Sequence, residues 1–227
     1  MEFILAVELK KKYTVYGHFY NLKLSNSLLK CRSTLEIRRK HTPKELPDII
    51  VIMMNPGSSV PLDKSYGPRT FTKEEVFKFK TKEIIAARPD NAQYQIMRLM
   101  EINNWNFVRI LNLSDLRNGN SGKFRNDFKN ASKLDKTNPH CLTHFLRKEE
   151  LTNSIKSKSN TIIAAWGDIA ELRDSAESIL KQNINIIGLK KGETPNFRYA
   201  SPYLKTQKIE WLLEIQKELN KNNAYYL

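Results

Sequence analysis

The chain has 227 residues, 40% of them hydrophobic, with 38 Lys and Arg against 24 Asp and Glu, a formal net charge of +14, and two cysteines. A chain of this length and composition is expected to form one globular domain that buries enough apolar surface to stand without disulfides or a structural metal. Cys31 and Cys141 are too few for a disulfide framework and lack the paired Cys/His spacing of a zinc site, as expected of a protein in a reducing compartment.

The five-residue apolar run Phe3-Ile4-Leu5-Ala6-Val7 lies between Glu2 and Glu8. It is shorter than the roughly 7–15 residues of a secretory leader core, and no stretch nears the roughly 20 apolar residues of a membrane span, so a cytoplasmic protein is expected. Tyr13 to Tyr20 alternates and is rich in aromatic and β-branched residues, and Ser27 to Arg39 follows a Ser25-Asn26-Ser27 turn signal, which together predict a hairpin. After a loop from His41 to Pro47 comes the unbroken apolar run Asp48 to Met54, closed by Asn55-Pro56-Gly57-Ser58-Ser59. Such a run reads as a strand buried on both faces, as in a parallel sheet.

Helical patterns cover Lys73 to Ala87 and Ala92 to Asn103, and a second buried strand runs from Trp105 to Leu111 and ends in Asn112. From Arg117 to Pro139 the periodicity fades, and Asn118-Gly119-Asn120-Ser121-Gly122 is followed by Lys123, Arg125, Lys129, Lys133 and Lys136 against Asp127 and Asp135. This stretch is expected to be a long basic loop, and its position after the carboxyl end of a strand favours a functional role. A helix over Leu142 to Lys156 precedes a third strand, Thr161 to Trp166, closed by Gly167. Asp168 with Glu171 three residues on reads as an N-cap for a helix carrying Ile169, Leu172, Ala176, Ile179 and Leu180 on one face. Ile184 to Gly188 is a fourth strand, and Thr206 to Asn220 a last amphipathic helix through Ile209, Leu212, Leu213 and Leu219.

Strands alternating with helices predict an α/β fold, a three-layer sandwich around a mostly parallel central sheet of about four strands. The N-terminal hairpin, residues 1–47, is expected to pack on this core as an extension of an α/β domain spanning 48–227. The charge points to a polyanionic partner, with nucleic acid ahead of membrane because no basic amphipathic helix stands out. The rival explanation is codon bias, since 26 of the cations are Lys and both Asn and Ile are abundant.

Three turns stand at the carboxyl ends of the expected parallel strands: Asn55-Pro56-Gly57-Ser58, Asn112 with Arg117, and Trp166-Gly167. Each alone reads as a turn, a strand-end cap or a tight helix entry, but ligands in open α/β sheets bind outside such ends. His140 and His144, four residues apart without a third ligand, read as a solvated helix start.

Taken in order, the run Ile49 to Gly57 with its Asn-Pro-Gly, the Leu-Asn-Leu-x-x-Leu-Arg core of 111–117, the segment Thr161 to Ala170 and Tyr199-Ala200-Ser201-Pro202 resemble the uracil-DNA glycosylase superfamily. The first motif is most like that of the mismatch-specific branch. The chain also resembles a less characterised bacterial family with an Asn-Pro-Ser/Gly turn and an Ala-Ala-Trp-Gly segment, taken as a relative of the same superfamily. The likeness covers about residues 48 to 217. It implies a uracil-DNA glycosylase-like fold, a DNA partner, a monomer, and hydrolysis of the N-glycosidic bond of an extruded, damaged or modified base without metal or cofactor.

On this resemblance Asn55 positions water in the Pro56-Gly57 turn, Asn112 reads the base edge, and Tyr66 or Phe71 stacks on the base. Ser58, Ser59, Ser201 and Pro202, with Tyr199 beside them, hold phosphates, and Arg117, Lys123, Arg125 and Lys205 add charge around the mouth. The chain departs from the family in two places. The first-motif carboxylate is absent, Asp63 being the nearest acid though one that also reads as a solvated loop residue, and the His of the last motif is replaced by Tyr199 or Ala200. These departures would allow a nucleic-acid-binding module that has lost the chemistry, and a further alternative, an N-glycosidase or hydrolase of free nucleotide or nucleoside derivatives, leaves the net charge unexplained.

Overall fold

The computed structural model describes residues 2–43, 45–79, 82–168 and 170–224. Helix α1 (Ala6–Lys12) leads into the hairpin β1 (Tyr13–Leu24) and β2 (Ser27–Arg39), turned at Ser25, whose φ is 51°. Strand β3 (Ile49–Met53) follows, then the two-residue strands β4 (Val60–Pro61) and β5 (Thr70–Phe71), the single turn α2 (Lys73–Val76) and β6 (Ile85–Arg88). Helix α3 (Asn91–Asn103) precedes β7 (Phe107–Asn112), and α4 (Ser121–Leu134) and α5 (Lys148–Ser154) precede β8 (Thr161–Ala165). Helix α6 (Arg173–Leu180), β9 (Asn185–Ile187) and α7 (Lys205–Ala224) complete the chain.

The fold is α/β, but its sheet is larger and more mixed than four parallel strands. Among the described residues nine strands join in the order β4-β6-β1-β2-β7-β3-β8-β9, with β5 pairing β1. The expected parallel strands β7, β3, β8 and β9 are adjacent and parallel. The difference lies at β7: β2 pairs antiparallel to it, Leu35 opposite Ile110, and brings β1, β6 and β4 in as antiparallel neighbours. A free β7 edge would leave a row of backbone groups unpaired, and the long hairpin supplies them with partners. The hairpin therefore continues the sheet, and its residues enter both layers of the core.

One layer holds Phe19, Leu35, Ile37, Val51, Met53, Ile110 and Ile163 against α3 and α7; the other holds Tyr20, Ile50, Ile52, Leu111, Ile162 and Ala164 against α4 and α6. Alternation along each strand sends neighbours to opposite layers, which is why β3, continuous in apolar residues, is fully buried. Burial of each such side chain contributes roughly 1.5–3 kcal/mol.

Other expectations are corrected. Among the described residues of Lys73 to Ala87 only Lys73–Val76 is helical, behind a Thr72 capping box, and Ile85–Arg88 is a strand because β1 offers an edge opposite Tyr16 and Gly17. The stretch expected to be a basic loop folds as α4: the Asn120 side chain caps it by accepting from Lys123 N at 3.0 Å, and Phe124, Phe128 and Ala131 form a narrow buried stripe. Leu142 to Lys156 contains only a 3-10 turn, Phe145–Arg147, and α5. The N-cap expected at Asp168 is not one, since Asp168 pairs with Lys191 and α6 begins at Arg173 after a 3-10 turn; Ile169 lies outside the described residues. No described helix is long and apolar enough to cross a membrane.

Candidate functional site

Strands β7, β3 and β8 end level with one another, Met53 being opposite both Asn112 and Ala165. The three turns that follow converge, and a cavity of about 630 Å³ opens between them, the start of α3 and the loop before α7. Asn55, Gly57, Trp166 and Gly167 line it from the strand ends, Arg125 from α4, and Tyr199, Ser201 and Pro202 from the loop. This size falls within the range of about 300–1,000 Å³ usual for ligand sites.

Asn55 is buried, and both hydrogen bonds of its side chain use Nδ2, which donates to Leu116 O at 3.3 Å and Asn118 O at 2.7 Å. The turn after β3 is thereby tied to the turn after β7 on both sides of Arg117. Gly57 has φ 66°, and a Cβ there would lie 2.6 Å from Asp90 Oδ2. Only glycine therefore fits, both for its backbone and for the carboxylate packed against it. Asp90 caps α3: Oδ1 accepts from Ala92 N at 2.9 Å and Gln93 N at 3.3 Å, while the Gln93 side chain accepts from Asp90 N. Oδ2, the oxygen beside Gly57, takes no part in the cap. Asp90 is the acid packed against the Asn-Pro-Gly turn, one residue before Asn91 of the cavity wall, and its only sequence signal is a capping box that reads as plain helix chemistry.

Several polar groups nearby are sealed from solvent without partners among the described residues. Asn112 is 0% exposed with neither Nδ2 nor Oδ1 bonded, and Ser201 Oγ is likewise unpaired. Arg32 of β2 is 1% exposed with Nε and Nη1 unpaired, and Arg117 Nε is unpaired where its guanidinium lies 5.0 Å over the Phe19 ring. Desolvation pulls Arg32 down to about 10, with Asp90 opposing and Arg117 adding to the fall. Tyr199 is 40% exposed, yet desolvation, then Asp90, holds its pKa above the ordinary value. A larger cavity of about 750 Å³ lies against Thr34, Glu36 and Arg109. There the charges are spent on one another, Lys82 with Glu150 and Arg109 with Glu36.

The remaining expected site residues are placed as follows. Pro56 is buried in the turn, Ser58 is exposed beside Gly119, and Ser59 is buried with Oγ donating to Arg88 O at 2.9 Å. Asp63 is exposed and accepts from Ser65 N and Oγ, away from the cavity lining. Tyr66 reaches Glu83, and Phe71 packs on Tyr20 and Phe79; neither lines the cavity, whose aromatic walls are Trp166, Tyr199 and Tyr203. Lys123 and Arg125 are exposed at the start of α4, and Lys205 Nζ lies 5.3 Å over the Phe3 ring. His140 and His144 are buried, not solvated: His140 Nδ1 is 3.1 Å from Ser114 Oγ, and the His144 ring stacks on Phe77. The 140–144 segment forms turns beneath α4, so helical spacing misstates its surroundings.

No family model, curated protein or solved structure matches the chain.

Proposed function

We propose that the protein is a DNA N-glycosylase of the uracil-DNA glycosylase type that draws a damaged or modified base out of the helix and hydrolyses its N-glycosidic bond. The observation that carries this reading is the convergence of Asn55, Gly57, Arg125, Tyr199, Ser201 and Pro202 on one cavity at the ends of parallel strands. Buried Asn112, at the end of the adjoining strand, has an unused donor and an unused acceptor. Leaving both unpaired costs roughly 1–3 kcal/mol each, which a base edge would recover by reaching past the lining residues to Asn112. An extruded base is read by such hydrogen bonds and by aromatic walls, here Trp166 and Tyr199.

In the reaction, water oxygen attacks C1′ of the sugar as the C1′–N bond breaks and its electron pair departs with the base. Asp90 Oδ2 takes the water proton and faces the positive charge that develops on the sugar, and Asn55 orients the water beside it. Tyr203, 94% exposed, and Leu204, 52% exposed, stand on the loop at the cavity mouth. An apolar wedge at that point fills the gap in the base stack left by the extruded nucleotide. Lys123, Arg125 and Lys205 supply the phosphate contacts.

Purified protein is expected to create abasic sites, read as alkali-labile breaks, in at least one member of a panel of single- and double-stranded DNAs. The panel carries uracil, mismatches or hypermodified pyrimidines. Asp90→Asn is expected to slow the reaction by about 10²–10⁴-fold. Absence of product on every substrate would refute the proposal.

A further inference from the structure

Helix α4 carries its charge as a stripe that leads away from the cavity. Arg125, Lys129 and Lys133 recur every fourth residue on one face, Lys136 stands just past the helix end, and all four are exposed. Arg125 lines the cavity, and the helix extends about 14 Å further, from Arg125 to Leu134. The acids of the segment are turned to other partners: Asp127 accepts from Asn118 Nδ2 at 2.7 Å, and Asp135 pairs with Lys73 at 2.8 Å. Of the four cations only Lys129 has an ion-pair partner among the described residues, Glu171 at 3.4 Å. Beside the far end of α4 lies a set of stacked rings. The His144 imidazole, 7% exposed, stacks with the Phe77 ring at 4.4 Å and 14° and with the Phe145 ring at 4.7 Å and 26°. Its Nδ1 accepts from Leu146 N at 3.2 Å, which fixes the imidazole to the turn that carries Phe145. His144 also feels the charges of Asp135 and Lys73, the pair at the end of α4. Phe145 itself is 73% exposed. It forgoes the stabilisation that burial would give, and a ring held over a buried imidazole presents its remaining surface as a firm platform.

We infer that α4 and Phe145 form a track for an unpaired stretch of DNA strand leaving the cavity, with Arg125, Lys129, Lys133 and Lys136 meeting its phosphates and Phe145 stacking on one of its bases. The inference rests on the DNA reading above and deepens it, since it names a substrate that is single-stranded beside the target nucleotide. A base within a duplex is already stacked on both faces and has none to offer Phe145. An unpaired base of any sequence has one, and a basic groove with an aromatic platform is the arrangement that holds single strands. A protein partner fits this face less well, because three of its four cations are Lys, a residue depleted at protein interfaces.

Fluorescence anisotropy on the whole protein tests this with a labelled single strand of about 16 nucleotides, the upper end of such sites, the duplex of the same sequence, and an equally long strand of abasic tetrahydrofuran units. The single strand is expected to bind more tightly than the other two. Phe145→Ala should weaken it by about 5- to 150-fold, the contribution of one stacked base, and leave the affinities for the duplex and the baseless strand unchanged. Phe145→Trp should bind as the parent does, whereas Phe145→Leu, apolar but without a ring, should not. All three variants should melt with the parent, because Phe145 is exposed. Lys133→Gln together with Lys136→Gln should reduce the slope of log affinity for the single strand against log salt by about 1.4, the sum for two contacts, while Phe145→Ala leaves the slope as it is. Single-strand affinity indifferent to Phe145→Ala, an equal loss on the baseless strand, or full binding by Phe145→Leu would overturn the inference. So would a dimer in sedimentation velocity that Phe145→Ala dissociates, which would give the face to a second copy of the chain. Single-strand binding through Phe145 without base release from any DNA would leave the track standing and refute the glycosylase reading; base release with single-strand affinity unchanged in Phe145→Ala would refute the track alone.

Discussion

Two arginines, Arg147 and Arg32, are each within 1% of full burial, and the fold treats them in opposite ways. Arg147 sits in the layer of Tyr20 with every arm engaged: Nε and Nη2 donate to Glu150 at 2.7 and 2.9 Å, and Nη1 lies 2.9 Å from Asp115 Oδ2. Tyr20 donates to the same Asp115 oxygen, and Lys82 bridges Glu150 to Thr34. Desolvation opposes the Arg147 charge, but Asp115 and Glu150 overcome it and raise its pKa further. Arg32, in the layer of Phe19, has no such partners and is pulled down to about 10 by desolvation. The guanidinium of Arg147 is fully paired although Asp115 Oδ1 beside it is not, whereas two of the nitrogens of Arg32 have no partner among the described residues.

The largest expected effect comes from opening the closed network. Arg147→Met leaves Asp115 and Glu150 buried without their cation and should cost about 3–5 kcal/mol in urea unfolding, where Arg32→Met costs nothing or stabilises. A loss at Arg32 equal to that at Arg147 would erase the distinction. A somewhat smaller effect follows from the histidines bordering the closed network. Desolvation, then Lys82, lowers His18 to about 4, and desolvation, then Arg147, lowers His140 to about 3. Both stay neutral when folded, while in the unfolded chain they take up a proton near pH 6.5. Their contribution is thus complete above pH 6.5 and is lost as pH falls toward 4 and 3, by a few kcal/mol each at most. The urea midpoint should drop between pH 7 and 5, and His140→Gln should flatten that drop; a midpoint constant over the range would mean that the rings are not neutral by burial.

Much of the sheet is legible in the sequence, because apolar runs such as Ile49 to Met53 and Thr161 to Ala165 are dense and closed by turn residues. The hairpin is equally plain. Its place inside the sheet is not, since that depends on Leu35 to Arg38 finding the edge of β7 some 70 residues later. Helix α4 is obscured because three apolar positions among Lys, Asn and Ser carry its whole packing face. Asn55, Tyr199, Ser201 and Arg125 could be named from local motifs because each sits in a turn or on a charged stretch. Asp90 and Arg32 could not, for reasons of geometry. Asp90 is spelled as a helix cap, and Arg32 lies in a stretch of β2 buried on both faces, opposite Phe19 and just past a register shift.

Asn112 sharpens the comparison at lower energy. It is as deeply buried as Arg147, and its two polar atoms are as unpaired as those of Arg32. Asn112→Leu, which keeps the number and branching of side-chain heavy atoms, should raise the unfolding free energy by roughly 1–2 kcal/mol, because an unsatisfied amide is removed from an apolar setting. The same variant should lose base release. Such a gain in stability with loss of function is the mark of a residue kept for its ligand. Destabilisation by Asn112→Leu would show instead that the amide is satisfied within the fold.

The smallest effect on the fold is expected where the charge has no part in either network. Lys123 and Arg125 are exposed at the start of α4 and form no ion pair among the described residues, whereas Lys129 reaches Glu171. Exchanging both for Gln should move the unfolding free energy by less than about 0.5 kcal/mol. If they meet phosphates beside the cavity, the same exchange should reduce the slope of log affinity for DNA against log salt by about 1.8, the sum for two contacts. Exchanging Lys10, Lys11 and Lys12 for Gln tests the alternative that net charge alone matters. Lys11 and Lys12 are paired with Glu8 and Glu101, so their loss should leave the slope nearly unchanged. Equal reductions from the two sets would return the +14 charge to a diffuse property of the surface, with no address at the cavity mouth.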